Sequence, residues 1–150
     1  MAEREVEFDG GRIVVTERGM AICAPGGMLV RCLGTEGERW RAVLPRVSFS
    51  NYLEPFLAYA EVHGDALFVV WNNEHSNAGG SPYATSIHRV LPGGKVAWGL
   101  MVDGGGGWPK LSRDGDVLTV EAGWTDHPLA PRAMAPTCRR VDVSTGRLLP

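Results

Sequence analysis

Val62-His63-Gly64-Asp65-Ala66-Leu67-Phe68-Val69-Val70-Trp71 is the stretch whose reading decides the fold. Ala66 to Trp71 is nearly all apolar, and β-branched or aromatic side chains dominate it, as in a strand covered on both faces. The unit it opens closes with Ile87-His88-Arg89-Val90-Leu91-Pro92-Gly93-Gly94-Lys95-Val96-Ala97-Trp98. The opening recurs as Arg113-Asp114-Gly115-Asp116-Val117-Leu118-Thr119-Val120, with Gly64 and Gly115 51 positions apart. The close recurs as Arg140-Val141-Asp142-Val143-Ser144-Thr145-Gly146-Arg147, with Arg89 and Arg140 again 51 apart. A weaker copy lies upstream, at offsets of 54 (Gly10 to Gly64) and 58 (Arg31 to Arg89, Trp40 to Trp98). Self-similarity at a nearly fixed period marks a repeat architecture. The expectation is one domain over 1–150 with repeat units at about 5–44, 57–102 and 108–149.

Composition agrees with an all-β chain. Hydrophobic residues make up 44% and charged residues 21%, while 20 Gly and 10 Pro point to many turns rather than long helices. At 150 residues the chain buries enough surface to need no staple. A formal charge of -2 offers no basic field for a phosphate backbone, which argues against nucleic acid as a partner. The charged start Met1-Ala2-Glu3-Arg4-Glu5 is followed by no apolar run, so neither signal peptide nor membrane span is read there, and a cytoplasmic protein is expected. Three cysteines read as buried thiols, although Cys23 and Cys32 flank a Pro25-Gly26-Gly27 turn and would face each other across a hairpin.

Along the chain, residues 5–8 and 12–16 read as a hairpin around Asp9-Gly10-Gly11. Met20–Cys23, Met28–Leu33 and Arg39–Leu44 add strands, about five in the first 44 residues. Tyr52, Phe56 and Tyr59 have helical spacing, but Pro55 limits any helix to a short turn near 48–56. Leu57–Val62 then reads as a strand. Asn72 to Tyr83 is polar and rich in turn formers and reads as an exposed loop, as does Trp124 to Pro136 at the same point of the last unit. Insertions at one point of a repeat emerge on one face, often the binding face. Val102 to Pro109 reads as a linker between units.

A Gly-Asp turn, an apolar strand, a loop, a strand, then a Gly-Lys or Gly-Arg turn and a Trp resembles the blade of a β-propeller, particularly the PQQ-like repeats. The matching residues are Gly64-Asp65 and Gly115-Asp116, Gly94-Lys95 and Gly146-Arg147, and Trp40 and Trp98. The resemblance implies three blade-like antiparallel units, with Trp40 and Trp98 packed between neighbours, arranged as a half-propeller, a curved sheet or a barrel. The last unit lacks the Trp, which puts its final strand in doubt. Three units do not comfortably close a ring, and a homodimer placing three against three would complete six. The chain shows no array of ligands for a quinone cofactor, so no cofactor is expected.

Candidate chemistry gathers in the connections. Glu74-His75 and Asp126-His127 suggest a metal site or acid–base pair, but their spacing fits no ligand motif, and no metal is expected. His63 and His88 read as surface residues. No Gly-x-Ser-x-Gly elbow, nucleophilic Cys or phosphate loop is present, so the chain reads as non-catalytic. Trp71, Tyr83, Trp108 and Trp124 are aromatic anchors of the kind enriched at interfaces, and Glu74, Asp103 and Asp126 add negative charge. The expected site is therefore Trp71, Glu74, His75, Tyr83, Asp103, Trp108, Trp124, Asp126 and His127, presented to another protein. By analogy with small bacterial immunity proteins, that partner would be a toxin with a basic cleft. The alternative is a small-molecule or carbohydrate-binding module, or a hydrolase using the same carboxylates and aromatics.

Overall fold

A computed structural model describes residues 6–17, 27–45, 55–74, 83–103, 110–122 and 137–150. Within them the chain is all-β, with twelve strands and no helix. The first sheet is β1 (Val6–Phe8), β2 (Gly11–Glu17), β3 (Gly27–Gly34) and β4 (Gly37–Pro45). The second is β5 (Pro55–His63), β6 (Ala66–Glu74), β7 (Tyr83–Val90) and β8 (Val96–Asp103). The third is β9 (Lys110–Asp114), β10 (Val117–Ala122), β11 (Thr137–Asp142) and β12 (Leu148–Leu149). Each sheet is an antiparallel meander in sequence order. They are three blade-like units, separate from one another, and no closed barrel forms among the described residues.

The sheets stack face to face, with the second in the middle. Leu67 and Val69 of β6 pack with Ile13, Val30, Cys32 and Leu44 of the first sheet. Ala66, Phe68 and Val70, pointing the other way, pack with Leu118, Val120 and Val141 of the third. This explains the unbroken apolar run. A strand with two buried faces has no position left for a polar side chain, and Ala66 to Val70 are all fully buried.

The stacking is head to tail. Gly11, Ala66 and Val117 each open the second strand of their sheet, so β2, β6 and β10 can be counted from these residues. On that count Ile13 and Val15 match Phe68 and Val70, and these face the following sheet. Leu67 and Val69 match Leu118 and Val120, and these face the preceding one.

Two tryptophans lock the joints, as the blade resemblance implied. Trp40 on β4 lies against Gly94 in the β7–β8 turn, where an added Cβ would sit 2.8 Å from the indole. Trp98 on β8 lies against Gly146 in the β11–β12 turn, where a Cβ would come within 2.6 Å. Both glycines also have positive φ, +88° and +73°, so each position excludes a side chain on two grounds. The indoles finish with hydrogen bonds: Trp40 Nε1 donates to Asp9 (2.9 Å) and Trp98 Nε1 to the Val143 carbonyl (2.7 Å).

Several expectations change. The stretch from Asn72 is not all loop, because Asn72, Asn73 and Glu74 pair with Thr85, Ala84 and Tyr83, extending both strands. The ladder needs only backbone groups, so polar side chains near a sheet end do not break it. His88 is not at the surface but 1% exposed, because β7 is an interior strand of the middle sheet. Its ring lies over Gly99, its register partner on β8, where a Cβ would fall 2.5 Å from Nε2. His63 is half-buried rather than in open solvent, 3.0 Å from Glu61. Pro55 and Phe56 begin β5 instead of closing a helical turn, and 48–54 lie outside the described residues. Met20–Cys23, expected as a strand, also lies outside them; β2 pairs directly with β3. Cys32 is a buried thiol opposite Ile13 and Trp40, its Sγ donating to the Phe8 carbonyl, and Cys23 lies outside the described residues. The doubtful last strand forms as the two-residue β12.

Phe68→Ala should destabilise the chain by about 3–5 kcal/mol, since it removes the ring between the second and third sheets. Gly146→Ala should cost about 1–3 kcal/mol for the strained φ, before any displacement of Trp98. Urea unfolding followed by tryptophan fluorescence measures both; a neutral Gly146→Ala would contradict the indole-on-glycine contact.

Candidate functional site

Strand direction sorts the connections into two sets. In each meander the first and second strands, and the third and fourth, are joined by tight turns at one end. The links between second and third strands, and between sheets, leave from the opposite end. Contacts between turns show that neighbouring sheets share this orientation. Asp9, in the β1–β2 turn, accepts from the Gly93 amide in the β7–β8 turn (2.8 Å). Arg113, beside the β9–β10 turn, donates to the His63 carbonyl (2.8 Å) and Asp65 (2.9 Å) at the β5–β6 turn. Arg89 on β7 donates to Val143 in the β11–β12 turn (2.8 Å).

At this turn end the charged groups serve the joints. The Gly93 amide holds the Asp9 carboxyl below its ordinary value, and the Trp40 indole adds to the effect. Arg113 lowers Asp65 in the same way. Burial raises the Cys32 thiol, which suits an inert packing role rather than a nucleophile. Sequence reading missed Asp9, Arg89 and Arg113 as joint residues. The available signal was an acid recurring in the first turn of each unit, at Asp9, Asp65 and Asp116.

The opposite end holds the expected site residues that the structure places. Glu74 ends β6 and Tyr83 begins β7 as its register partner. Asp103 ends β8 opposite Ala84, the neighbour of Tyr83. Glu74, Tyr83 and Asp103 therefore share one rim of the middle sheet. Trp71 lies further in along β6, opposite Ser86. His75, Trp108, Trp124, Asp126 and His127 lie outside the described residues. Among the described residues no group of three or more His, Cys, Asp or Glu is placed to hold a metal ion, and no helix is long and apolar enough to cross a membrane.

Fold and rim together define a class: an all-β chain of three blade-like sheets stacked head to tail, with tight turns at one end and long connections at the other. No protein-family model, curated protein or solved structure matched the chain.

The Asp9 and Asp65 shifts carry a sign. A carboxyl whose folded value is lowered stabilises the fold fully above its unfolded value, about 4, and loses that contribution as pH falls through the folded value. Replacing both, Asp9→Asn with Asp65→Asn, should flatten the fall in melting temperature below about pH 4 relative to wild type. An acid limb of unchanged slope in the double variant would show that these carboxylates do not tie the turns together.

Proposed function

We propose that the chain is a non-catalytic binding module that meets another protein through the rim carrying Glu74, Tyr83 and Asp103. The observation supporting this is their register. Glu74 pairs with Tyr83 and Asp103 with the adjacent Ala84, so two acidic positions and an aromatic one fall at one end of the middle sheet, whose β6 is covered on both faces. At the turn end, Asp9 and Asp65 are already engaged within the fold. An acidic and aromatic rim fits a basic cleft, because charge complementarity steers association and an aromatic ring supplies contact area. The finer reading is an immunity protein covering the active site of a toxin that acts on nucleic acid or a nucleotide.

Growth rescue tests this. The product of the adjacent gene, expressed alone, should arrest growth, and co-expression of the chain should restore it. Glu74→Lys with Asp103→Lys should abolish rescue and weaken the purified complex at least a hundredfold, within the roughly 2–5 kcal/mol span for disrupted interface charge pairs. Glu36→Lys, at the turn end, should leave both unchanged. Rescue undiminished by the rim variant at normal melting temperature would refute the site.

A further inference from the structure

Both joints in the stack follow one rule: the forward face of a sheet packs on the backward face of the next. Among the described residues the rule leaves the backward face of the first sheet and the forward face of the third without a neighbour. Their charges are opposite in balance. By alternation along the strands, the first presents Arg12, Arg31 and Arg41 against Glu7 and Glu38. Glu38 is taken up by Arg31 (2.8 Å) and Arg41 (2.9 Å) together. Leu29 and the 48% exposed Val43 lie beside them as register partners. The third sheet presents Asp114, Glu121 and Asp142 against Lys110 and Arg140.

We infer that a second copy of this chain occupies both faces, the basic outward face of one copy's first sheet against the acidic outward face of the other's last. The two surfaces differ, so the contact is heterologous; the pair makes it twice if the rotation between copies closes, and a concentration-dependent series beyond twice the monomer mass would show instead that it does not. Complementary charge fixes which face meets which.

This joint is weaker than those inside the chain, and the equivalent positions say why. Leu149 lies opposite Arg140 as Trp98 lies opposite Arg89, so the indole that locks the interior joints is replaced by leucine. Glu7 is penultimate in β1 as Arg113 is in β9, and Asp116 is the second turn residue as Asp65 is. Where the second and third sheets have the Arg113–Asp65 pair (2.9 Å), two acids would meet. A reversible pair, not an obligate one, follows.

Sedimentation velocity of the full chain over rising concentration tests the inference. Wild type should reach twice the 16.2 kDa monomer mass. Glu7→Arg with Leu149→Trp, supplying the missing lock, should lower the half-association concentration at least tenfold. Arg12→Glu with Arg41→Glu, and separately Asp114→Arg with Glu121→Arg, should each stay monomeric with an unchanged melt. An equimolar mixture of those two variants should pair, because each then offers the other complementary faces. A monomer under every condition, or pairing that persists in either charge variant alone, overturns the head-to-tail contact.

Discussion

The structure depends on β6 having two buried faces. A four-stranded meander of this size cannot shield its own apolar positions, and burial is worth about 1.5–3 kcal/mol for each large aliphatic or aromatic side chain. The second sheet meets that requirement by giving Leu67 and Val69 to one neighbour and Phe68 and Val70 to the other. Among the described residues, each outer sheet packs one face on this middle layer. A change at Leu67 or Phe68 is therefore felt at one joint or the other, on opposite sides of the same strand.

Polar groups then fix how the layers meet. Apolar burial is not directional, and two stacked sheets can slide at little cost unless something sets their register. Here the register is set at the turn end by short, specific bonds: Asp9 to Gly93, Arg113 to Asp65, Arg89 and Trp98 to Val143. The glycines under Trp40 and Trp98 belong to the same device, since any side chain there would lift the indole from the neighbouring turn. With these groups holding one end together, the rim proposed for binding lies at the other. The proposed function rests on that separation between a scaffold held at one end and candidate residues at the other.

Much of this was legible in the residues, for physical reasons that differ from element to element. Ala66 to Val70 announced a doubly covered strand because no polar residue interrupts it, and Asp9-Gly10 announced a hairpin because that turn needs positive backbone angles, found at φ 52° and 76°. Trp40 and Trp98 were placed between neighbours through the blade resemblance, and the contacts with Gly94 and Gly146 agree. His88 was misread because alternation with Arg89 suggests a solvent face, whereas Arg89 points into the next joint and His88 into the preceding one. Local pattern reports alternation but cannot say that both sides are covered. Asn72 to Glu74 were misread for a related reason: the ladder is satisfied by backbone alone, and side-chain polarity is silent about it. Of the rim, Glu74, Tyr83 and Asp103 were singled out by residue type, while their adjacency came only from strand register.

Equivalent positions also show where the stack stops. Counted from the first residue of the second strand, Ile13 and Phe68 correspond to Thr119, and Val15 and Val70 to Glu121. On the other face, Leu67 and Leu118 correspond to Arg12. These polar substitutions fall on the copy whose face has no neighbour among the described residues, while Val14 and Val117 stay apolar on those same outward faces. At these three positions the change follows burial, because an interior position bears the desolvation cost of a polar side chain and an outward one does not. The outward faces thereby suit water or the proposed charge-directed contact, while the interior joints rest on buried apolar side chains.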